Sequence, residues 1–154
     1  MPGAETTRLL DVNVLVALTN PTHIRHESAH RWLARLPDSV RWATTPMTEA
    51  SFIRLMTNPA VAGQDVTASA ALDVLAQMRD VPDHVFVPDD SSLAVPHIDL
   101  TALVGHQQVT DFHLVNLAAA TGAVLATFDT RIASALAPTD RHHVETIDGE
   151  TAAY

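Results

Sequence analysis

The sequence predicts an α/β protein with a mainly parallel central sheet and helices on both faces. Three observations carry this. Short apolar runs alternate with segments of helical spacing along the chain. One run, "AVLATF" (Ala123–Phe128), is apolar throughout and reads as a fully covered strand. The 154 residues are 47% hydrophobic and contain no repeat, low-complexity tract or linker, so one domain spanning 1–154 is expected, its core at about 8–147.

The elements follow in order. "RLLD" (Arg8–Asp11) is a short buried strand ending at Asp11. "VNVLVALTN" is a short helix in which Asn13 can bond the first exposed N–H groups. After the loop Asn20–His23, a helix runs from His26 to Leu36, with Ala29, Trp32, Leu33 and Leu36 at helical spacing and Pro37 as its stop. Val40–Thr44 is a strand. Thr45–Pro46 starts a helix that Asn58–Pro59 ends. Gln64–Arg79 is a helix on the repeat of Val66, Ala70, Val74 and Met78, and His84–Pro88 is a strand. Asp99–Val104 is expected as a short helix. Thr110–Thr121 is a helix capped by Gly122, and Ala123–Phe128 is the apolar strand. His142–Ile147 alternates and is expected at a sheet edge, with His142 and His143 decorating it. The tail "DGETAAY" (148–154) is expected to be disordered.

Composition excludes several classes. There is no Cys, hence no disulfide, thiol nucleophile or Cys-ligated zinc. No apolar run approaches the roughly 20 residues of a membrane helix. "MPGAETT" lacks the basic and apolar blocks of a secretion signal, so a cytoplasmic protein without membrane association is expected. The net charge of −9 argues against broad electrostatic binding of nucleic acid. All nine basic residues are Arg.

Against this background four acids stand in apolar surroundings. Asp11 and Asp129 end apolar strands. Glu49 shares a helical stripe with Phe52, Ile53 and Met56, and Asp111 shares one with Leu114, Val115 and Ala118. In a parallel sheet the strand C-termini and the starts of the following helices lie on one edge, so all four are expected to converge there. Each alone has a plainer role, as a helix N-terminal acid or a turn former. Asp38, Asp65, Asp80, Asp83, Asp89, Asp90 and Asp140 sit among polar, Pro or Gly residues and read as solvated. Two like charges about 6 Å apart repel by on the order of 3 kcal/mol at an effective dielectric of 20. Four such groups need compensation. An oxygen-only donor set without Cys suits Mg2+ or Mn2+. Such an ion binds phosphate oxygens and activates water, which points to phosphodiester hydrolysis.

The stretches "LLDVNVLVAL", "TTPMTEASFIRLMTNP", "VTDFHLVNLAAATGAVLATFDTRI" and, more weakly, "HESAHRWL" resemble the PIN-domain ribonucleases, specifically the VapC toxins of type II toxin–antitoxin modules. The resemblance spans about Arg8 to Ile147. It implies a three-layer α/β/α PIN-like fold, and its acidic set falls on Asp11, Glu49, Asp111 and Asp129, holding Mg2+ or Mn2+. Asp11 and Asp111 are expected as direct ligands, with Glu49 and Asp129 binding directly or through water. Asn13 matches the D-x-N opening and Thr127 the T-x-D, as supporting residues. The resemblance further implies a homodimer, a VapB-type antitoxin and a structured RNA substrate, tRNA or ribosomal RNA. Arg54 and Arg131 are candidates for RNA contact.

Three rivals arise from the same residues. "HESAH" is the H-E-x-x-H of zinc metallopeptidases, with His26 and His30 one helical turn apart and Glu27 as base. The few residues before it leave little room for the sheet that such a helix usually follows. A receiver or haloacid-dehalogenase-type phosphotransfer domain places an Asp at the end of its first strand. The absence of Lys and the "DVN" in place of D-x-D speak against it. The third is a PIN-like scaffold that binds RNA or protein without cutting. Trp32 reads as core, Trp42 as core or dimer interface.

Overall fold

The computed structural model describes residues 7–148. The expectations for the first six residues and for 149–154 lie outside them. The elements are β1 (Thr7–Leu10), α1 (Val12–Thr19), α2 (His26–Arg35), β2 (Arg41–Thr44), α3 (Pro46–Met56), α4 (Pro59–Ala62), α5 (Ala68–Arg79), β3 (His84–Phe86), α6 (Val109–Thr121), β4 (Val124–Thr127), α7 (Thr130–Ala135) and β5 (Val144–Thr146). Two 3-10 turns, His106–Gln108 and Pro138–His143, precede α6 and β5. No helix among the described residues is long and apolar enough to cross a membrane.

The sheet is wholly parallel, in the order β3-β2-β1-β4-β5. Its two faces are separate cores, set by the period of two along each strand. Leu9, Ala43 and Leu125 pack with Phe112, Leu114, Val115 and Leu117 of α6 and Ile132 of α7. Leu10, Trp42 and Ala126 pack with Val14 and Leu15 of α1, Ala29 of α2, Phe52 and Met56 of α3 and Ala71 of α5. The result is a three-layer α/β/α arrangement, as the resemblance implies. Trp42 is buried core; Trp32 is half-buried, its indole N–H bonded to Glu145.

Several local expectations are corrected, most of them by side chains that compete for backbone groups. Asp99–Val104 is not a helix: Asp99 Oδ1 accepts from Thr101 N at 2.8 Å, and Asp140 Oδ2 accepts from Asp99 N at 2.8 Å, making a turn. Asp140 is therefore buried rather than solvated. α5 begins at Ala68, not Gln64, because Thr67 Oγ1 caps Ala70 N at 3.1 Å. Asn58–Pro59 ends α3 and also starts α4, with Asn58 Oδ1 accepting from Ala60 N. His142 and His143 belong to a 3-10 turn, so β5 starts only at Val144, at the sheet edge as expected. Gly122 closes α6 at φ 73°.

The long connection from β3 to α6 is pinned by Asn116 of α6, whose side chain is fully buried. Its Oδ1 accepts from His97 N at 2.7 Å, and its Nδ2 reaches Ser92 O at 3.4 Å. Asn116→Ala leaves the His97 N–H without its partner and is expected to cost about 1–3 kcal/mol. Hydrogen exchange should show faster opening at residue 97 while the strands stay protected.

Candidate active site

β1 ends at Leu10, and Asp11 follows it directly. Its N–H donates to Ala126 O at 2.9 Å, extending the ladder to β4 by one bond. Asp11 is 6% exposed and caps α1: Val12 N donates to Oδ1 at 2.7 Å. Oδ2 accepts from the Thr127 hydroxyl at 2.8 Å. Thr127, at the end of β4, also accepts from Asn13 Nδ2 at 3.1 Å and from Asp129 N at 3.0 Å. Asn13 Oδ1 takes Phe128 N at 3.2 Å. Asn13 therefore does not cap α1, which Asp11 does. It ties the ends of β1 and β4 together.

Asp129 caps α7, a helix the sequence reading left out, by accepting from Arg131 N at 2.9 Å. The Arg131 guanidinium returns to the same carboxylate, Nε to Oδ1 at 3.0 Å and Nη2 to Oδ2 at 2.8 Å. Asp111 stands in the first turn of α6, half-buried. Asp111, Asp129, Arg131, Gln107 and Gln108 line a cleft of about 380 Å³ with Phe112 and Ile132 on its apolar wall.

The three aspartates act on one another. Burial raises Asp11 above the usual carboxylate range against the pull of Thr127 and Val12, and Asp129 adds to the rise. Burial first, then the charges of Asp11 and Asp129, push Asp111 up to about 6. Arg131 holds Asp129 below the usual range. Asp11 and Asp129 thus have donors, whereas no hydrogen bond supports Asp111 among the described residues.

Glu49 does not join them. It stands in the first turn of α3 as expected, but its Oε2 accepts from the Thr44 hydroxyl at 2.6 Å and both its oxygens lie 3.1 Å from Arg79 Nη1. The leading charges acting on Asp11 and Asp111 come from the aspartates themselves and from Arg131. Asp11, Asp111 and Asp129 are thus linked electrostatically, while Glu49 is paired with Arg79 and Thr44. Arg54, in the last turn of α3, does not line the cleft. Among the described residues no three acidic or imidazole groups already stand in an arrangement that would hold a metal ion. The donor chemistry nonetheless fits a hard divalent cation, being three mutually repelling carboxylates with oxygen donors only.

The H-E-x-x-H residues have another task. His26 Nδ1 bonds Ala17 O at 2.7 Å and His30 Nε2 bonds Leu18 O at 2.8 Å, the rings meeting edge to face at 4.5 Å. A carbonyl only accepts, so both ring nitrogens donate, satisfying carbonyls left over at the end of α1. Glu27 is exposed. Asp89, read as solvated, pairs instead with His113 Nε2 at 2.8 Å. Sequence reasoning missed this pair and Arg79, because both are long-range contacts without a local pattern.

A family model described as the PIN domain matches residues 8–137. Ribonuclease VapC39 of Mycobacterium tuberculosis is 44% identical over 128 residues, covering 82% of this chain and 91% of that protein. Ribonuclease VapC38 of the same organism is 44% identical over 121 residues, covering 79% of this chain and 84% of that protein. Ribonuclease VapC29, also from that organism, is 39% identical over 127 residues, covering 82% and 89% respectively.

The raised Asp111 makes stability depend on pH. The folded protein keeps a proton there that the unfolded chain releases near pH 4. The group's contribution therefore falls as pH rises from about 4 to about 6 and stays low above that. Asp111→Asn removes the charge. With divalent ions chelated, the variant is expected to melt about 2–4 °C above wild type near pH 7.5 and level with it near pH 3, below the unfolded carboxyl's own range. The gap corresponds to about 1 kcal/mol after discounting a half-exposed group for solvent screening. Thermal unfolding at both pH values checks this.

Proposed function

The chain belongs to the PIN-domain family and, within it, to the VapC ribonucleases, and from that premise we propose that it is a divalent-metal-dependent endoribonuclease toxin. It hydrolyses phosphodiester bonds in structured RNA, tRNA or ribosomal RNA. The observation that carries this reading is the unsupported Asp111 carboxylate, pushed up to about 6 beside Asp11 and Asp129 at the mouth of a cleft. A scaffold has no use for such uncompensated charge, whereas a site that receives a cation does.

In this reading Asp11 and Asp111 hold Mg2+ or Mn2+, and Asp129 and Glu49 contribute directly or through water. When bound, such an ion supplies Lewis-acid activation of water and neutralises charge developing on the phosphate. The protein's part is orientation. Thr127 and the Val12 N–H fix the Asp11 carboxylate, and Asn13 holds Thr127. Arg131, its side chain 86% exposed, keeps Asp129 ionised and presents a guanidinium at the cleft, where a phosphate oxygen can be received. With a net charge of −9, RNA contact rests on such local groups. Arg54 does not line this cleft, so a contact of Arg54 with RNA lies outside it.

The partners follow the family: a VapB-type antitoxin that blocks the site, a second copy of this chain in a homodimer, and the cytoplasm as the place of action. Exposed Val104 and Val109 flank the Gln107–Gln108 lip of the cleft and offer apolar surface beside it.

Asp11→Asn is expected to abolish RNA cleavage and to weaken Mn2+ binding measured by calorimetry; full activity in that variant ends the proposal. Thr127→Val, which removes only the orienting hydroxyl, is expected to lower activity by about 10-fold or more. Induced expression in a bacterial host, followed by mapping of new RNA 5′ ends, should identify the cut, with Asp111→Ala as the silent control. An RNA profile unchanged by the wild-type protein would instead favour a PIN-like scaffold that binds without cutting.

A further inference from the structure

Glu49 begins its helix at the sheet edge that carries Asp11, yet its carboxylate is turned the other way. β2 lies beside β1 in the sheet, with Leu9 opposite Ala43, so Thr45, which opens α3, falls level with Asp11. The side chain settles instead over β3. Both oxygens lie 3.1 Å from Arg79 Nη1, and Oε2 also accepts from Thr44 at 2.6 Å. Thr44 in turn accepts from His84 Nε2 at 2.7 Å. Arg79 is anchored independently of Glu49, its guanidinium lying 4.4 Å above the centre of the Phe86 ring. The Glu49 side chain is 13% exposed and that of Arg79 42%.

We propose that Arg79 is a positioning residue whose guanidinium withholds the Glu49 carboxylate from the aspartate group, so that completing this group around a divalent cation requires exchanging Arg79 for the ion. The inference rests on the reading that Asp11, Asp111 and Asp129 receive such an ion. The exchange needs only rotation about the side-chain bonds of Glu49; α3 stays where Phe52 and Met56 fix it in the core. Arg79 keeps its place over Phe86 when Glu49 leaves. The guanidinium is thus a built-in competitor for one carboxylate, and it sets the ion concentration at which the fourth acid is recruited.

A purely structural role, tying α3 to α5, predicts something different. Binding of Mn2+ alone to the full chain, measured by calorimetry, separates the two in a double-mutant cycle. Arg79→Gln is expected to bind Mn2+ about 2- to 5-fold more tightly than wild type, the range that loss of a partly exposed ion pair corresponds to. In a Glu49→Gln background the same change is expected to have no effect. Arg79→Lys, which keeps the charge but not the stacked guanidinium, should fall between wild type and Arg79→Gln. Should Arg79→Gln fail to fold, Arg79→Met keeps the stem over Phe86 and takes its place. Equal Mn2+ affinity in wild type and Arg79→Gln overturns the inference. So does a gain of the same size with and without Glu49, which would mark a general effect of removing one positive charge. Absence of Mn2+ binding by the wild-type protein overturns the underlying metal-site reading, and this inference with it.

Discussion

One hydroxyl organises the sheet edge on which this protein's chemistry depends. Thr127 Oγ1 donates to Asp11 and accepts from Asn13 and from the backbone of Asp129. Its donor and both its acceptor positions are used, and its side chain is fully buried. The bond joins the ends of β1 and β4, which are neighbours in the sheet though 116 positions separate Asp11 from Thr127. A valine there would keep the strand and the packing. It would leave Asp11 to face its burial with the Val12 N–H and a long contact from Asn13 Nδ2 at 3.4 Å, and would remove the acceptor that Asn13 Nδ2 and the Asp129 N–H share. The spacing T-x-D thus has a physical content: the hydroxyl holds one acid through its side chain and the other through its backbone.

The acids then differ in how far the protein compensates them. Asp11 has a hydroxyl and a helix N–H, Asp129 a guanidinium in a two-bond fork, and Glu49 a guanidinium and a hydroxyl. Asp111 has no hydrogen bond among the described residues; burial and then repulsion from Asp11 and Asp129 raise it, relieved in part by the charge of Arg131. The unpaid electrostatic cost is concentrated on the residue at the cleft rather than spread over the set. Local violations of the rule that buried charge is paired belong at functional sites, where a ligand completes what the chain leaves undone. The rest of the edge is conventionally satisfied. Even the two histidines that imitate a zinc motif are spent on the last carbonyls of α1.

Most of the fold was legible because its signals are local. The alternation of apolar strands with helical stripes places α2, α3, α5 and α6 to within a few residues, and Gly122 marks the end of α6. What escaped was decided by partners distant in sequence or by short capped turns. Asp140 looks solvated among Pro, Thr and Arg, yet it is buried because the amide of Asp99, 41 positions away, needs an acceptor. α7 has six residues, too few for a periodic pattern, and exists because Asp129 caps it. The segment 99–104, expected as a short helix, is a turn in the structure. Asp99 gives its backbone a better local alternative.

The site divides along the same line. Helical spacing identifies Glu49 and Asp111 as facing inward, and both do. Spacing along one helix says nothing of which side of the sheet edge a flexible carboxylate will choose. Here strand parity decides. Thr127 shares the face of Leu125 and Leu9, under α6, which brings the aspartates together. Thr44 shares the face of Trp42, under α3 and α5, with His84 and Phe86 beside it on β3. A glutamate rooted between two such faces, with three rotatable bonds, goes to whichever offers positive charge. That is the Arg79 side, because the other side carries three acidic groups. The preference is therefore a balance between the Arg79 guanidinium on one face and the aspartate charges on the other. The chain's inward stripe makes Glu49 available to the edge. The balance of charge across that edge, which no window of sequence contains, determines where it rests.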